Sequence, residues 1–163
     1  MAVVEFKNIY VIGIDPGFST GLALLKYDGQ ITIQQINQSS PEEAIGIIKA
    51  WTENYNVLAI ILEKVHSMPK QGVKSMFTFG KHYGIIIGGL IAMDKGFIEI
   101  HPRRWHQILG SYNSSIEFVK DFFNLELKKQ NIHIADAIAL ATYFLMNLIK
   151  GNIVNDKKKG GVK

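Results

Sequence analysis

IGIDPGFSTGLALL (residues 12–25) contains the end of one apolar strand, a sharp break and the start of a second strand. The first strand, NIYVIGID (8–15), stays uncharged until Asp15, and a Pro-Gly pair follows it directly. The next stretch, GLALLKYDGQITIQQI (21–36), has the alternating residue pattern of a strand on both sides of an Asp-Gly pair. This pair favours a tight hairpin turn. The segment therefore predicts three successive antiparallel strands.

Helices and strands alternate in the remainder of the chain. A helix begins at Ser40, which is suited to capping, because a proline and two glutamates follow it, and this helix runs to about Asn54. VLAIILE (57–63) is a continuous apolar run, as expected of a strand covered on both faces. Further elements are predicted as a long helix at about 75–94, a strand at 97–100, a short helix at 102–109, a helix at about 114–128 and a last helix at 132–149 capped by Asn131. The order predicts an α/β fold, a five-stranded mixed sheet with helices on both faces.

Composition limits the class of protein. The 163 residues are 47% apolar and 20% charged, which predicts one folded domain over 1–150 and a disordered basic tail over 151–163. The absence of cysteine excludes disulfides, thiolate metal sites and a cysteine nucleophile. The start lacks a signal-peptide layout, and the apolar run at 82–93 has 12 residues where a membrane span needs about 20. We expect a cytoplasmic protein that has no membrane partner.

Charge is unevenly distributed along the chain. The net charge is +4, yet residues 1–63 carry 3 basic and 7 acidic side chains, whereas residues 64–106 carry 7 basic and 2 acidic ones. Four of the five histidines also fall within 64–106. A positive band on an acidic body suggests a polyanionic partner, although solvated lysines on helix faces are the commoner explanation of such a band.

Three acidic residues and a histidine occupy positions that favour chemistry. Asp15 and Glu63 each end an apolar strand, and parallel neighbours would bring both carboxylates to one edge of the sheet. Asp136 lies early in an apolar helix, with His133 three residues before it on the same face. Each residue alone has a structural explanation, such as a turn, a salt bridge or a helix dipole. Together they favour a site for divalent cations, which would relieve the repulsion among the carboxylates.

Four stretches in order carry a resemblance to a known family. IGIDPGFSTGLALL (12–25), ILEKVHSMPKQG (61–72), HPRRW (101–105) and HIADAIALA (133–141) resemble the RuvC family of Holliday-junction resolvases, which are RNase H-like nucleases. The similarity covers about residues 9 to 145. It implies an endonuclease that binds four-way DNA junctions as a homodimer and nicks two opposing strands symmetrically. The cofactor it implies is Mg²⁺, with two ions per active site and Mn²⁺ as a substitute.

The resemblance also implies roles for individual residues. The family's acids fall on Asp15, Glu63 and Asp136, with Asp15 expected to bridge the metals. His133 occupies a position that is aspartate or histidine in the family, so it is a metal ligand or a group that acts on the phosphate or water. The residues expected to contact DNA are Lys64, His66, Met68, Lys70, Lys74, Lys81, Arg103, Arg104 and His106, of which His66 stands at the family's junction-wedging position.

Three glycines recur at four-residue spacing on the long predicted helix. Gly80, Gly84 and Gly88 each cost about 1 kcal/mol relative to alanine, which suggests that another backbone approaches closely. That backbone belongs either to the protein's own sheet or to a second copy. The family's dimer interface uses this helix, and we expect dimerisation to involve its other face, with Phe77 and Tyr83.

Alternative functions stay open at this point. The chain could be another RNase H-like nuclease that acts on RNA–DNA hybrids or flaps, or a junction-binding protein without catalytic activity. An actin-like nucleotide-binding fragment would begin with a similar Asp-containing loop, but a second phosphate loop and an adenosine motif are missing. We therefore expect no nucleotide cofactor. The two tryptophans, Trp51 and Trp105, are expected in the core or an interface.

Overall fold

Five strands form one mixed sheet at the centre of the fold. The computed structural model describes residues 8–17, 19–36, 40–65 and 72–151. Its strands are β1 (Tyr10–Asp15), β2 (Thr20–Lys26), β3 (Ile31–Ile36), β4 (Val57–Glu63) and β5 (Ile98–Ile100), in the spatial order β3-β2-β1-β4-β5. β1 to β3 pair antiparallel, whereas β4 runs parallel to β1 and β5 runs parallel to β4. The predicted fold class and the antiparallel start are confirmed.

Helices cover both faces of this sheet. They are α1 (Pro41–Asn54), α2 (Val73–Ala92), α3 (Pro102–Trp105), α4 (Ser115–Phe123) and α5 (Ile132–Ile149), with short 3-10 turns at His106–Leu109 and Lys129–Asn131. Alternate residues of β1 separate two apolar cores. Val11 packs in a core with α3, α4 and α5, while Ile12 and Ile14 pack against α1 and α2. The period-2 alternation of the strands thus divides the helices between the two faces.

The strand register brings two acidic strand ends to the same edge. Ile14 of β1 lies beside Leu62 of β4, so Asp15 and Glu63, one residue further on, end neighbouring parallel strands. Glu63 also pairs with Ile100, the last residue of β5. Carboxyl ends of parallel strands are the usual location of sites in such sheets.

Some predicted element ends were wrong. The helix predicted at about 114–128 ends at Phe123 because Asn124 adopts a left-handed conformation, φ 53°, which stops it. Ser40 and Asn131 precede α1 and α5 but make no side-chain capping hydrogen bond. Neither residue has the extended backbone that presents a cap oxygen to the helix, since Ser40 has ψ 62° and Asn131, at the end of a 3-10 turn, has ψ 23°.

α5 is a long and strongly apolar helix. Together with the turn before it, Lys129–Ile149 is long and apolar enough to cross a membrane by length and composition, although 56% of its apolar window is buried inside the protein. It packs against β1 and β2, and residues such as Ala137, Ile138 and Ala141 are fully buried there. These contacts are those of a core helix.

Candidate metal centre

Two glycines allow the first turns of α5 to lie directly on the sheet. A Cβ atom at Gly13 would collide with the backbone oxygen of Ala137, and one at Gly21 would collide with the backbone oxygen of His133. Gly13 lies in β1 and Gly21 faces Asp15 across the β1–β2 ladder. Because the helix backbone sits where side chains would otherwise be, His133 is carried to the end of β1.

Asp15 and His133 are in direct contact at that position. Asp15 Oδ2 lies 2.6 Å from His133 Nδ1, and Asp15 Oδ1 accepts a hydrogen bond of 3.1 Å from the backbone N–H of Gly17. The aspartate therefore both closes the turn after β1 and faces the histidine. This hydrogen bond with Asp15 raises the pKa of His133, against the opposing effect of burial.

Asp136 completes a compact set of donors. Asp15, His133 and Asp136 each offer one ligand atom, and these atoms lie within 4.8 Å of one another. The hydroxyl of Ser115, at the start of α4, donates a hydrogen bond to Asp136 Oδ1. The pKa of Asp136 is raised to about 6, chiefly by burial and also by the charge of Asp15, against the lowering effect of the hydrogen bond from Ser115. Carboxylate oxygens and a ring nitrogen thus converge on one point.

Glu63 lies next to this set without belonging to the three-residue cluster. Burial raises its pKa to about 8, with further contributions from the charges of Asp15 and Asp136. Its Oε2 accepts a hydrogen bond of 2.8 Å from the indole N–H of Trp105, which lowers the pKa. Glu63 ends the strand next to that of Asp15, so the negative charges of Asp15 and Asp136 oppose its ionisation. A cation placed among them would favour the charged form of all three.

The donor set fits a hard divalent cation. Two carboxylates and an imidazole lie close together, a third carboxylate is adjacent, and the pKa values of Glu63 and Asp136 are raised when no cation is present. Mg²⁺ binds through one or two carboxylates and keeps other positions for water or phosphate, and Mn²⁺ accepts the same oxygen ligands. The residues therefore suit Mg²⁺ or Mn²⁺.

The basic residues predicted to contact DNA are only partly within the described chain. Lys64 follows Glu63 directly and is exposed, Lys74 and Lys81 are exposed on α2, and Arg103, Arg104 and His106 are exposed after β5. Partial burial lowers the pKa of His106. Three further predicted contacts lie outside the described residues, namely His66, Met68 and Lys70.

Sequence reasoning missed three residues that surround the acids. A Cβ at Gly17 would meet the ring of His133, with its Nδ1 atom 2.6 Å away, so this glycine leaves the space that the imidazole occupies. Trp105 lies in the core, as the sequence predicts, but its contact with Glu63 and the contact of Ser115 with Asp136 have no counterpart in the sequence prediction. The Asp-Pro-Gly signal marked a turn at Gly17, but nothing local to Trp105 or Ser115 pointed to carboxylates 42 and 21 residues away.

Comparison with known proteins identifies the fold. The sequence matches no protein-family profile and no curated protein. Thermus thermophilus RuvC in complex with Holliday junction substrate matches with a TM-score of 0.65 at 18% identity, over 88% of this chain and 97% of that one. The chain has the RuvC fold. A Fowlpox virus resolvase in complex with substrate Holliday junction DNA matches with a TM-score of 0.50 at 21% identity, over 84% of this chain and 99% of that one.

A second Thermus thermophilus RuvC structure gives a TM-score of 0.62 at 18% identity over the same 88% of this chain. The RuvC-like architecture expected from the four sequence motifs is confirmed. At these identities the likeness establishes the fold.

Proposed function

We propose that this protein is a Mg²⁺-dependent endonuclease that resolves four-way DNA junctions by paired, symmetric nicks. The observation that carries the proposal is the convergence of Asp15, His133 and Asp136 within 4.8 Å at the carboxyl edge of a RuvC-fold sheet. The matching Thermus and Fowlpox virus proteins are both described in complex with Holliday junction DNA.

The chain's own residues divide the work at this centre. Asp15, Glu63, Asp136 and His133 would hold Mg²⁺. A bound Mg²⁺ would supply Lewis-acid activation of the scissile phosphate and of a water molecule. Asp15 keeps the imidazole of His133 oriented through Nδ1 and holds a proton there when the histidine is charged. The glycines beneath α5 fix both side chains on the sheet edge.

A second copy of the chain is the proposed partner at α2. Gly80, Gly84 and Gly88 would meet nothing within 4 Å if each carried a Cβ, so no described part of the sheet packs against them. Val73, Phe77 and Ile91, which are 81%, 76% and 64% exposed, lie on the same side by helical spacing. We name this surface the glycine face of α2.

The glycine face bears on two expectations. Packing on the protein's own sheet was one explanation for the glycines, and the open space over them excludes it among the described residues. Phe77 shares the glycine face, whereas Tyr83 donates a hydrogen bond to Glu99 of β5. Three exposed helix glycines are costly without close backbone approach, and RuvC-like junction nicking on two strands requires two active sites.

Exposed cations near the centre are the proposed backbone contacts. Lys64 follows Glu63 directly in sequence. Arg103 lies two residues before Trp105, which donates a hydrogen bond to Glu63. Contacts of this kind bind phosphates and add affinity that falls with salt, while junction geometry supplies the selectivity. We also propose that the protein acts in the cytoplasm.

A labelled-substrate panel tests the activity. The protein is incubated with a four-way junction that has a fixed core, a linear duplex, a flap and an RNA–DNA hybrid, each with Mg²⁺, with Mn²⁺ and with EDTA. We expect cutting of the junction alone, only with metal. Cutting of the hybrid or flap instead would replace the substrate class and keep the metal centre. Tight junction binding without cutting under any metal would show a binding protein.

Asp15→Asn sharpens the same test. The change removes a ligand charge with little loss of volume, so junction cleavage should fall by more than about a hundredfold, beyond the usual cost of losing a residue that only supports a ligand. Junction affinity in EDTA should stay within about twofold. Loss of folding together with binding, measured by circular dichroism and gel shift, would make Asp15 a purely structural turn residue.

A further inference from the structure

Two buried donors contact the carboxylates of the proposed metal centre from one side. The indole N–H of Trp105 donates to Glu63 Oε2 at 2.8 Å, and the hydroxyl of Ser115 donates to Asp136 Oδ1 at 2.5 Å. Trp105 is 1% exposed and Ser115 is 2% exposed. Each donor thus occupies one oxygen of one carboxylate from inside the core.

The elements that carry these donors follow directly from the sheet. β5 ends at Ile100 beside Glu63, and α3 begins at Pro102, so one turn of helix brings Trp105 back to the end of β4. Trp105 also packs in the core that contains α5. Packing therefore fixes the orientation of the indole ring, and with it the direction of the N–H that donates to Glu63.

Ser115 is free of the capping task at the start of α4. The side chain of Ser114 accepts the hydrogen bond from the backbone N–H of Glu117, which is the cap of this helix. The adjacent hydroxyl of Ser115 points to Asp136 on α5 instead. The two neighbouring serines have different jobs, which makes them a matched pair for experiment.

Both donors are neutral, so they can orient the carboxylates without cancelling their negative charge. A lysine or arginine in their place would neutralise the carboxylate charge that a cation needs, whereas an indole or hydroxyl orients the group and leaves its charge. With Oε2 of Glu63 and Oδ1 of Asp136 engaged, one oxygen of each carboxylate is left for another partner. Supporting hydrogen bonds of this type commonly tune metal affinity.

We propose that Trp105 and Ser115 are positioning residues that fix the rotamers of Glu63 and Asp136 for divalent-cation binding. This inference rests on the proposed function, because it concerns the metal centre of that function. Trp105→Phe removes the N–H and keeps an aromatic ring, while Ser115→Ala removes only the hydroxyl. The controls are Trp51→Phe, in the core on the other face of the sheet, and Ser114→Ala, which removes the helix cap.

The measurement is Mn²⁺ binding by the full chain without DNA. Binding is monitored as the loss of the electron paramagnetic resonance signal of free Mn²⁺. We expect Trp105→Phe and Ser115→Ala to bind Mn²⁺ about 10–100-fold more weakly than the parent. Junction affinity in EDTA should be unchanged, and kcat should fall with little change in KM for DNA at saturating metal. Ser114→Ala should unfold at lower temperature yet keep the parent's Mn²⁺ affinity.

Different failures separate the two proposals. If Ser115→Ala and a folded Trp105→Phe bind Mn²⁺ within twofold of the parent, the positioning roles are wrong and the metal centre stands. If Trp105→Phe does not fold, Ser115→Ala alone decides in the same way. If the parent binds no Mn²⁺, the metal centre itself is wrong. Equal weakening by Ser114→Ala would assign the effect to general destabilisation and overturn the inference.

Discussion

Two sets of three glycines have the same four-residue spacing and opposite surroundings. Gly13, Gly17 and Gly21 lie around the β1–β2 turn, where an added Cβ would collide with the backbone of α5 or the ring of His133. The glycines of the α2 glycine face would meet nothing within 4 Å. The first set leaves space for α5 and His133 within the chain and so brings the proposed metal ligands together. The second leaves room outside, which suits a second copy.

The contrast shows why spacing alone does not assign a glycine. Omitting a Cβ is useful only where another backbone or ring comes close, and the sequence does not say which partner comes. The following substitutions separate the two sets, beginning with the largest expected effect.

Gly13→Ala should be the most damaging single change. The new methyl collides with the backbone oxygen of Ala137, a contact that cannot be relieved by a side-chain rotation. We expect a loss of unfolding free energy of about 3 kcal/mol or more, at the upper end for overpacking. Gly46→Ala is the control, since Gly46 lies in α1 with open space around it, and this change should stabilise by about 0.5–1 kcal/mol. Urea unfolding measures both, and equal effects would contradict the contrast.

Gly17→Ala should impair catalysis more than folding. The methyl would displace the imidazole of His133, a side chain that can move, rather than backbone. A displacement near 1 Å in a reacting group costs about a hundredfold in rate, so we expect that loss in junction cleavage. Urea unfolding should show a smaller loss than Gly13→Ala. Full cleavage activity in a folded Gly17→Ala protein would show that the position of His133 is unimportant.

Gly84→Gln should stabilise the folded monomer and weaken the dimer. Glutamine is a better helix former than glycine, so monomer stability should rise by up to about 1 kcal/mol. The side chain would fill the open space on the glycine face and keep a second helix away. Sedimentation should show a weaker dimer for Gly84→Gln and an unchanged one for Gly46→Gln on α1. Dimers of equal strength in both would remove the glycine face from the interface.

A fourth prediction concerns pH without metal. Burial raises the pKa of Glu63 from its ordinary 4.5 to about 8, so the folded protein binds a proton that the unfolded chain releases over this range. Unfolding free energy should therefore fall as pH rises from about 5 to 8. Glu63→Gln should flatten that decline, and added Mg²⁺ should offset it in the parent. A parent whose metal-free stability rises across this window would show that Glu63 is not held protonated.

Local patterns were sufficient to predict the sheet and the positions of the acids at its edge. Apolar runs ending at Asp15 and Glu63 report strand ends within a few residues, and the helix period around Asp136 places His133 on its face. The end of α4 was missed because the left-handed turn at Asn124 depends on a single residue.

Long-range contacts could not be predicted in this way. The carboxylates that Trp105 and Ser115 contact lie 42 and 21 residues away in sequence, and only the packing of α3, α4 and α5 on the sheet brings them together. The local sequence around Trp105 and around Ser115 does not indicate such distant partners. The same holds for the glycines, whose surroundings depend on the fold as a whole.

Cleavage of a supercoiled plasmid that extrudes a cruciform tests the two regions together. If α5 builds a metal centre and the glycine face brings two such centres onto one junction, the parent with Mg²⁺ should convert the plasmid directly to linear product. Gly84→Gln should release nicked circles instead, and Asp15→Asn should leave the plasmid supercoiled. Linear product from Gly84→Gln at the parent's rate, or cleavage by Asp15→Asn, would contradict the assignment of the metal centre and the dimer to these two regions.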